Sequence, residues 1–219
     1  MVKFFKKNNK DNKKKPRAGV FVDNANLFYA QKQSGWKVDF QKLKDSLSLN
    51  MDLKVTNYYI AVPDKKDKSF VVTVNYLKKI KNIFNLKIKR IKYIYDRQKV
   101  INKKADLDLE LALDVVRNLD KLDVVIVMSG DSDFLELKRF VIEKGKKIIF
   151  FGFEQNMAWE IKKYSKFLYL DSFEKELFLD FKKDKEFGEK TNSEPKLGVI
   201  SLELLYSDKK KLSSVCSNQ

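Results

Sequence analysis

The chain has 219 residues, one cysteine, no histidine and a formal net charge of +16 at pH 7. This length predicts one domain of about 150–180 residues with tails and disfavours two full-sized domains. The single cysteine, Cys216, excludes a disulfide within the chain and fits a reducing compartment. Because thiol and imidazole groups are nearly absent, a zinc site is disfavoured, and any bound metal must be held by oxygen, as Mg²⁺, Mn²⁺ and Ca²⁺ are.

The positive charge is concentrated in two segments of the chain. Residues 1–17 hold eight basic residues and one acid, and residues 78–104 hold eleven basic residues and one acid. Basic patches of this kind favour a polyanion as partner. An alternative stays open at this point, because lysine and asparagine are abundant throughout and a biased composition also produces such charge.

The two ends of the chain differ in composition from its middle. Residues 1–16 are rich in lysine and asparagine and end in Pro16, so we expect a disordered basic arm. Residues 182–219 are polar and are expected to form a flexible tail, in which the apolar run at 197–206 is isolated. The folded domain is therefore predicted to span residues 17–181.

Strands and helices are predicted to alternate along this domain. Short apolar runs predict strands at residues 19–22, 55–62, 88–95, 124–128, 147–151 and 167–170. Apolar residues at helical spacing predict helices around residues 40–47, 74–84, 109–116, 134–142 and 157–164. This alternation favours βαβ units and a parallel sheet covered by helices on both faces.

No segment of the sequence predicts a membrane span. The longest apolar runs, such as residues 124–128 and 148–153, are far shorter than the roughly 20 residues that a span requires. The apolar run at residues 20–22 is interrupted by Asp23 and does not resemble the core of a signal peptide. We therefore expect a cytoplasmic protein without membrane contact.

Acidic residues follow two of the central predicted strands. The turn DNAN begins at Asp23 after the first strand, and the turn SGDSD carries Asp131 and Asp133 after the strand at 124–128. Ligands of an open parallel sheet bind beyond the carboxyl ends of its strands, so these acids converge if the two strands are neighbours. The helix that begins near Asp106 brings a further group of acids, namely Asp106, Asp108, Glu110 and Asp114.

Converging carboxylates repel one another and require protonation, solvation or a cation. Mg²⁺ or Mn²⁺ suits oxygen ligands, and the chemistry that such a cation serves best is attack on a phosphodiester. The competing explanation is helix capping, because Asp23, Ser132 and Asp133 precede or open helices. Capping needs only one side chain per helix, so paired acids after one strand favour the metal site. Gly130 is expected to allow a sharp turn between them.

Three segments, taken together and in this order, resemble the NYN domain family, a LabA-like group with a PIN-like nuclease fold. They are residues 20–27 (VFVDNANL), 104–114 (KADLDLELALD) and 127–134 (VMSGDSDF), with the tripeptide GKK at residues 145–147 downstream. The resemblance covers roughly residues 18–171. It implies a three-layer α/β/α sandwich with a mostly parallel central sheet, and a metal-dependent ribonuclease-type site.

The same resemblance implies which residues act. The acids that would bind Mg²⁺ or Mn²⁺ and support catalysis are Asp23, Asp108, Asp131 and Asp133. Asp108 is preferred to Asp106 as the middle acid because its six-residue step to Asp114 fits the family's pattern better. Residues expected to orient these acids without binding the metal themselves are Asn26, Ser129, Ser132 and Asp106. Candidates for contacts to RNA phosphates, unless they form a solvated face, are Lys103, Lys104, Arg90 and Lys99.

The predicted function is hydrolysis of RNA, single-stranded or structured, by a metal-dependent ribonuclease. The first alternative is a regulatory module that binds RNA or a protein with the same fold and does not cleave. A phosphatase with an Asp-x-Asp pair after the first strand is disfavoured because Asp23 is followed by Asn24 and Ala25. A nucleotide-binding loop is disfavoured because the seven glycines are not clustered. A homodimer is compatible with the sequence, which shows no interface.

Overall fold

The computed structural model describes residues 14–97 and 99–179. The basic arm predicted at residues 1–16 therefore lies outside the described residues except for its last three positions. The tail predicted at 182–219, with its apolar run at 197–206, lies outside them as well. Lys99 is described only through its backbone.

Eight strands form two sheets. They are β1 (Arg17–Asp23), β2 (Asp52–Val62), β3 (Asn85–Arg90), β4 (Lys92–Asp96), β5 (Lys99–Lys104), β6 (Val124–Met128), β7 (Lys147–Gly152) and β8 (Phe167–Tyr169). The central sheet has six strands in the order β3-β2-β1-β6-β7-β8, and each neighbouring pair is parallel. The strands β4 and β5 form a separate antiparallel hairpin.

Seven α-helices connect and cover the strands of the described chain. They are α1 (Asn24–Ser34), α2 (Phe40–Asn50), α3 (Phe70–Ile80), α4 (Asp108–Asn118), α5 (Leu135–Glu143), α6 (Trp159–Tyr164) and α7 (Glu174–Leu177). The buried apolar residues of α1, α2, α3 and α7 belong to one core cluster, and those of α4, α5 and α6 belong to another. The three-layer α/β/α sandwich is thus confirmed.

The period-two alternation of a strand explains how one sheet serves both clusters. Val20 and Val22 of β1 pack in the cluster with α1 and α2, while Phe21 between them packs in the cluster with α4 and α5. All three are at most 1% exposed. Both faces are covered, so the strand is continuously apolar, as the sequence of a buried parallel strand should be.

Two predicted elements are wrong in their extent. The strand predicted at residues 88–95 is interrupted at Ile91, where β3 ends its pairing with β2 and the chain turns into the β4–β5 hairpin. The helix predicted at residues 74–84 ends at Ile80, although Phe84 is still buried in the same cluster. The helical periodicity continued to Phe84 because the core accepts side chains from either side of a turn, whereas Ile88, Ile94 and Tyr95 of the predicted strand are exposed.

The order of the sheet determines where the site lies. β1 and β6 are neighbours at its centre, with Val22 opposite Met128. Asp23 and Ser129, the next residues of each strand, therefore leave the sheet at the same edge, as expected for a parallel pair. No helix in the described part of the chain is both long enough and apolar enough to span a bilayer.

Candidate active site

Asp23 is fixed by three hydrogen bonds at the end of β1. Its Oδ1 accepts from the backbone N–H groups of Ala25 at 2.9 Å and Asn26 at 3.2 Å, which caps α1. Its Oδ2 accepts from the hydroxyl of Ser129 at 3.0 Å. The side chain is both a helix cap and a link between β1 and β6, so the capping explanation and the site do not exclude each other.

The loop after β6 is held by polar side chains that follow β1 and β6 in the chain. The Asn26 Oδ1 accepts from the Gly130 N–H at 3.0 Å, and the Ser129 hydroxyl accepts from the Asp131 N–H at 3.2 Å. The Asp131 Oδ1 in turn accepts from the Asp133 N–H at 2.9 Å and caps the short 3-10 turn Ser132–Phe134. The Asn26 side chain therefore orients the loop that carries Asp131 by binding the backbone of Gly130.

Gly130 allows a close approach of two backbone segments. A Cβ on this residue would meet the carbonyl oxygen of Asn156 at 2.2 Å and the Cα of Met157 at 2.9 Å. Gly130 is not among the described glycines with positive φ, which are Gly35 and Gly145. The expectation that it serves a sharp turn is therefore replaced by a different reason: there is no room for a side chain against the loop after β7.

Asp106 and Asp108 lie at the start of α4. The backbone N–H of Asp108 donates to the Asp106 Oδ1 at 2.9 Å, so Asp106 holds the first residue of the helix. Asp106 is exposed and Asp108 is half-buried. Both carboxylates face the same cleft as Asp23, and the choice between them as the middle acid stays a prediction.

The acids surround a cleft of about 340 Å³ at the carboxyl edge of the sheet. Its lining residues are Asp23, Asn24, Ala25, Asn26, Tyr29, Tyr59, Ala61, Ala105, Asp106, Leu107, Asp108, Asp131 and Asn156. Asp133 is exposed and is not part of this lining. Asn156 and Tyr59 were not predicted from the sequence, because neither belongs to a motif and both reach the cleft only through the fold.

The carboxylates act on one another across the cleft. Burial raises the pKa of Asp108 to about 7, and the charges of Asp23, Asp106 and Asp131 add to this shift. Burial also raises the pKa of Asp23; hydrogen bonds to Asn26, Ser129 and Ala25 oppose the shift, and the charge of Asp131 adds to it. Each of these negative charges makes ionisation of the others less favourable, and a cation bound in the cleft would offset this repulsion.

The donor atoms at this edge fit a hard divalent cation. They are carboxylate and amide oxygens, which Mg²⁺ and Mn²⁺ prefer. In the described residues no three acidic, histidine or cysteine side chains are grouped closely enough to hold one ion as they stand. Coordination by Asp23, Asp108 and Asp131 would therefore require their side chains to turn towards a common point in the cleft.

The predicted phosphate contacts differ in their surroundings. Lys103 forms an ion pair with Asp67 at 2.8 Å and lies over the Tyr93 ring at 5.3 Å from its centroid. Arg90 and Lys104 are exposed. The side chain of Lys99 lies outside the described residues. The charge of Lys103 is thus paired within the domain, whereas the charges of Arg90 and Lys104 are exposed to solvent.

Asp114 is the centre of a buried polar network beside the cleft. Its Oδ2 accepts from the Tyr59 hydroxyl at 2.9 Å and lies 3.0 Å from the Lys87 Nζ, while its Oδ1 pairs with Arg117 at 3.3 Å. Burial acts to raise the pKa of Asp114, but Lys87 and Tyr59 outweigh it and the pKa is lowered. The network joins α4 to β2 and β3, and it positions Tyr59 in the cleft wall.

We expect Asp114→Asn to lower the free energy of unfolding by about 1–2 kcal/mol, because the amide loses its charge-assisted bonds. Lys87 is 43% exposed on its side chain, and water screens part of this loss. Urea denaturation followed by circular dichroism measures it, with the exposed Asp120→Asn as the matched control. Equal midpoints for the two variants would contradict a stabilising role for the network.

Comparison with known proteins gives the same family as the motifs. The model of the NYN domain matches residues 17–171 of the chain. The chain belongs to the NYN domain family. This family consists of PIN-like nucleases, so the coarse class of the domain follows from its membership.

Two relatives illustrate the extent of the similarity. The NYN domain is 25% identical over 126 residues to the low amplitude and bright protein LabA of Synechococcus elongatus, which is 54% of this chain and 63% of that protein. The chain therefore spans less than two thirds of that relative's length. A crystal structure of a protein of unknown function from Vibrio parahaemolyticus superposes with a TM-score of 0.58 at 20% identity. It covers 75% of this chain and 97% of that one and confirms the fold.

Proposed function

We propose that this NYN domain is a divalent-metal-dependent ribonuclease that hydrolyses phosphodiester bonds in the cleft at the carboxyl edge of the sheet. One observation carries the proposal: acids from three separate elements, Asp23, Asp108 and Asp131, face one cleft and hinder one another's ionisation. Without a cation in the cleft, repulsion among these carboxylates destabilises the folded state.

Asp23, Asp108 and Asp131 would hold Mg²⁺ or Mn²⁺, with Asp133 at the exposed side of the loop as the fourth acid. In phosphodiester hydrolysis a divalent cation lowers the pKa of water and neutralises charge that develops on the phosphoryl oxygens. The acids supply the negative charge that retains the cation, and Asp106 fixes the backbone of Asp108.

The remaining polar residues hold this arrangement in place. Ser129 donates to Asp23 and accepts from the backbone of Asp131, so one hydroxyl sets the relative position of two acids. Asn26 fixes the next peptide of the same loop. Rigid support of this kind keeps ligands within the narrow geometry that catalysis requires. Arg90 and Lys104 lie exposed and are suited to contact the phosphates of RNA.

A second function is favoured by a specific observation. Both oxygens of Asp23 already accept hydrogen bonds, as they would in a purely structural cap. The corresponding proposal is a regulatory module that binds RNA or a protein through the same surface without cleaving it. Retention of RNA binding without metal-dependent cleavage distinguishes this function from the nuclease.

Cleavage of a 5′-labelled single-stranded RNA tests the proposal. The purified chain is incubated with Mn²⁺, Mg²⁺ or EDTA beside Asp131→Asn, and Asp120→Asn serves as a matched exposed acid outside the cleft. We expect cleavage with Mn²⁺ or Mg²⁺, none in EDTA and none by Asp131→Asn, because the amide removes one charged ligand. Asp120→Asn should cleave like the unmodified chain.

Three outcomes would count against the nuclease. Equal cleavage by the unmodified chain and by Asp131→Asn would indicate a contaminating enzyme. Cleavage that persists in EDTA would exclude the metal. No cleavage, together with salt-sensitive RNA binding by both proteins, would favour the binding module instead.

A further inference from the structure

We propose that Asn24 binds a phosphodiester group of RNA in the cleft, with its side-chain Nδ2 as donor to a non-bridging phosphate oxygen and with its orientation fixed by Tyr58. This contact rests on the proposed action of the cleft on RNA and assigns a substrate-binding role to a neutral side chain among the acids. The hydrogen bonds of Asn24, its place in the cleft and the charges around it all favour this role.

The oxygen of the Asn24 side chain is held by a buried tyrosine. Tyr58 is fully buried in the core cluster that contains α1, α2 and α3. Its hydroxyl donates to the Asn24 Oδ1 at 2.7 Å and lies 2.7 Å from the Tyr76 hydroxyl. A hydroxyl has one proton, so Tyr58, which donates to Asn24, must accept from Tyr76. This chain of hydrogen bonds fixes the amide from its oxygen side.

The nitrogen of the same amide is free to donate. Asn24 is half-buried and lines the cleft. Its Nδ2 forms no hydrogen bond with residues 14–97 or 99–179. The buried side-chain atoms that lack a partner in those residues are the hydroxyls of Ser46 and Ser165, so Nδ2 is accessible to solvent. A side chain that is held at one end and open at the other loses little conformational entropy when it binds a ligand.

The surrounding charges favour this orientation of the amide. Asp23, Asp106 and Asp108 line the same cleft. An N–H group that faces carboxylates is attracted to them, whereas a carbonyl oxygen in its place would be repelled. The same acids repel a phosphate group, and a donor fixed among them gives that group a direct hydrogen bond with a charged acceptor.

A phosphate oxygen suits Asn24 better than a base does. An asparagine that recognises adenine uses its oxygen and its nitrogen together. The Asn24 Oδ1 is already occupied by the Tyr58 hydroxyl, so only the donor remains. A phosphate oxygen needs only a donor, and such a contact carries no sequence information. We therefore expect Asn24 to position the RNA backbone and not to select a base.

Affinity for RNA measured with Ca²⁺ tests this contact separately from cleavage. Ca²⁺ takes oxygen ligands as Mg²⁺ does, but with a less strict geometry. Gel electrophoresis verifies that a labelled single-stranded RNA 12-mer stays intact. Fluorescence anisotropy should show binding about tenfold weaker for Asn24→Ala, as for the loss of one hydrogen bond to a charged group. Asn75→Ala, at an exposed asparagine of α3 outside the cleft lining, is the matched control and should bind normally.

Asn24→Asp tests which end of the side chain contacts the ligand. The carboxylate still accepts from Tyr58, but its second oxygen replaces Nδ2 and repels a phosphate, so RNA affinity should fall at least as far as in Asn24→Ala. If Asn24 instead turned its oxygen to a cation, the added charge would strengthen cation binding. Asn24→Asp would then bind RNA as tightly as the unmodified chain or more tightly, and this result would overturn the proposed contact.

A double-mutant cycle tests the positioning role of Tyr58. Tyr58→Phe removes the hydroxyl that holds Asn24 and should weaken RNA binding about threefold. In the Asn24→Ala background it should have no further effect, because the amide that Tyr58 positions is absent. An equal loss in both backgrounds would show that Tyr58 acts only on the fold. Circular dichroism verifies that each variant is folded.

The outcomes distinguish this contact from the nuclease activity. Normal RNA binding by Asn24→Ala overturns the contact, whether or not the unmodified chain cleaves RNA. Weaker binding by Asn24→Ala and Asn24→Asp, together with no cleavage by the unmodified chain in Mn²⁺ or Mg²⁺, supports the contact and overturns only the nuclease.

Discussion

Asp108→Asn is expected to have opposite effects on cleavage and on stability. RNA cleavage should fall about a hundredfold or more, because losing a charged ligand removes several kcal/mol of transition-state stabilisation. The free energy of unfolding at pH 8 in EDTA should rise, because Asp23, Asp106 and Asp131 no longer repel a charge at this position. A gain in stability with a loss of activity is typical of a residue that is strained for function.

The sign of the pH dependence follows from the direction of the shift. Burial, followed by the charge of Asp23, raises the pKa of Asp108 to about 7 in the folded chain, above its ordinary value near 3.9. The folded state thus holds this proton more tightly than the unfolded state. The free energy of unfolding falls as the pH rises from about 4 to about 7. Because Asp108 is only half-buried, solvent screening limits the loss to about 1–2 kcal/mol.

Urea denaturation in EDTA between pH 4 and pH 8 measures this effect. Asp108→Asn should be more stable than the unmodified chain at pH 8. The difference should shrink towards pH 4, where the carboxyl group is protonated in the folded state and about half protonated in the unfolded state. Asp120→Asn, an exposed acid outside the cleft, should show no such trend. A variant that is less stable at pH 8, or a difference that grows on acidification, would contradict the repulsion between these acids.

Gly130→Ala is expected to lower the free energy of unfolding by about 1–3 kcal/mol and to reduce cleavage. The new Cβ would lie 2.2 Å from the Asn156 carbonyl oxygen, and this obstacle is backbone, so it does not move aside as a flexible side chain would. The loop has to shift and carries Asp131 with it. Equilibrium urea unfolding gives the stability, and cleavage of labelled RNA with Mn²⁺ gives the activity.

Gly145→Ala is a control that distinguishes the steric clash expected for Gly130→Ala from the effect of backbone strain. Gly145 has φ +71° and no neighbouring atom within 4 Å of an added Cβ. Its replacement should therefore cost only about 1–2 kcal/mol for the left-handed conformation and leave cleavage unchanged. If Gly130→Ala were as stable and as active as the unmodified chain, the close contact with Asn156 would have no functional meaning.

The sequence predicted the central elements well because their pattern is local. The strands near residues 19–22, 124–128 and 148–151 are buried on both faces and are therefore continuous apolar runs, and the strand at 55–62 is buried at its centre. The hairpin of β4 and β5 was missed because it is largely exposed and rich in lysine, so burial imposes no apolar pattern on it. The location in the cytoplasm, the flexible tails and the homodimer stay predictions.

By itself the sequence determined the family, the layered α/β architecture and the acidic turns after β1 and β6, since motif order and strand periodicity are properties of the chain. The tertiary structure decided which groups share a cleft. Tyr59 and Asn156 reach it from distant segments, and the collision that requires a glycine at residue 130 involves a loop 26 residues away. Contacts of this kind depend on the order and register of strands, which no local pattern encodes.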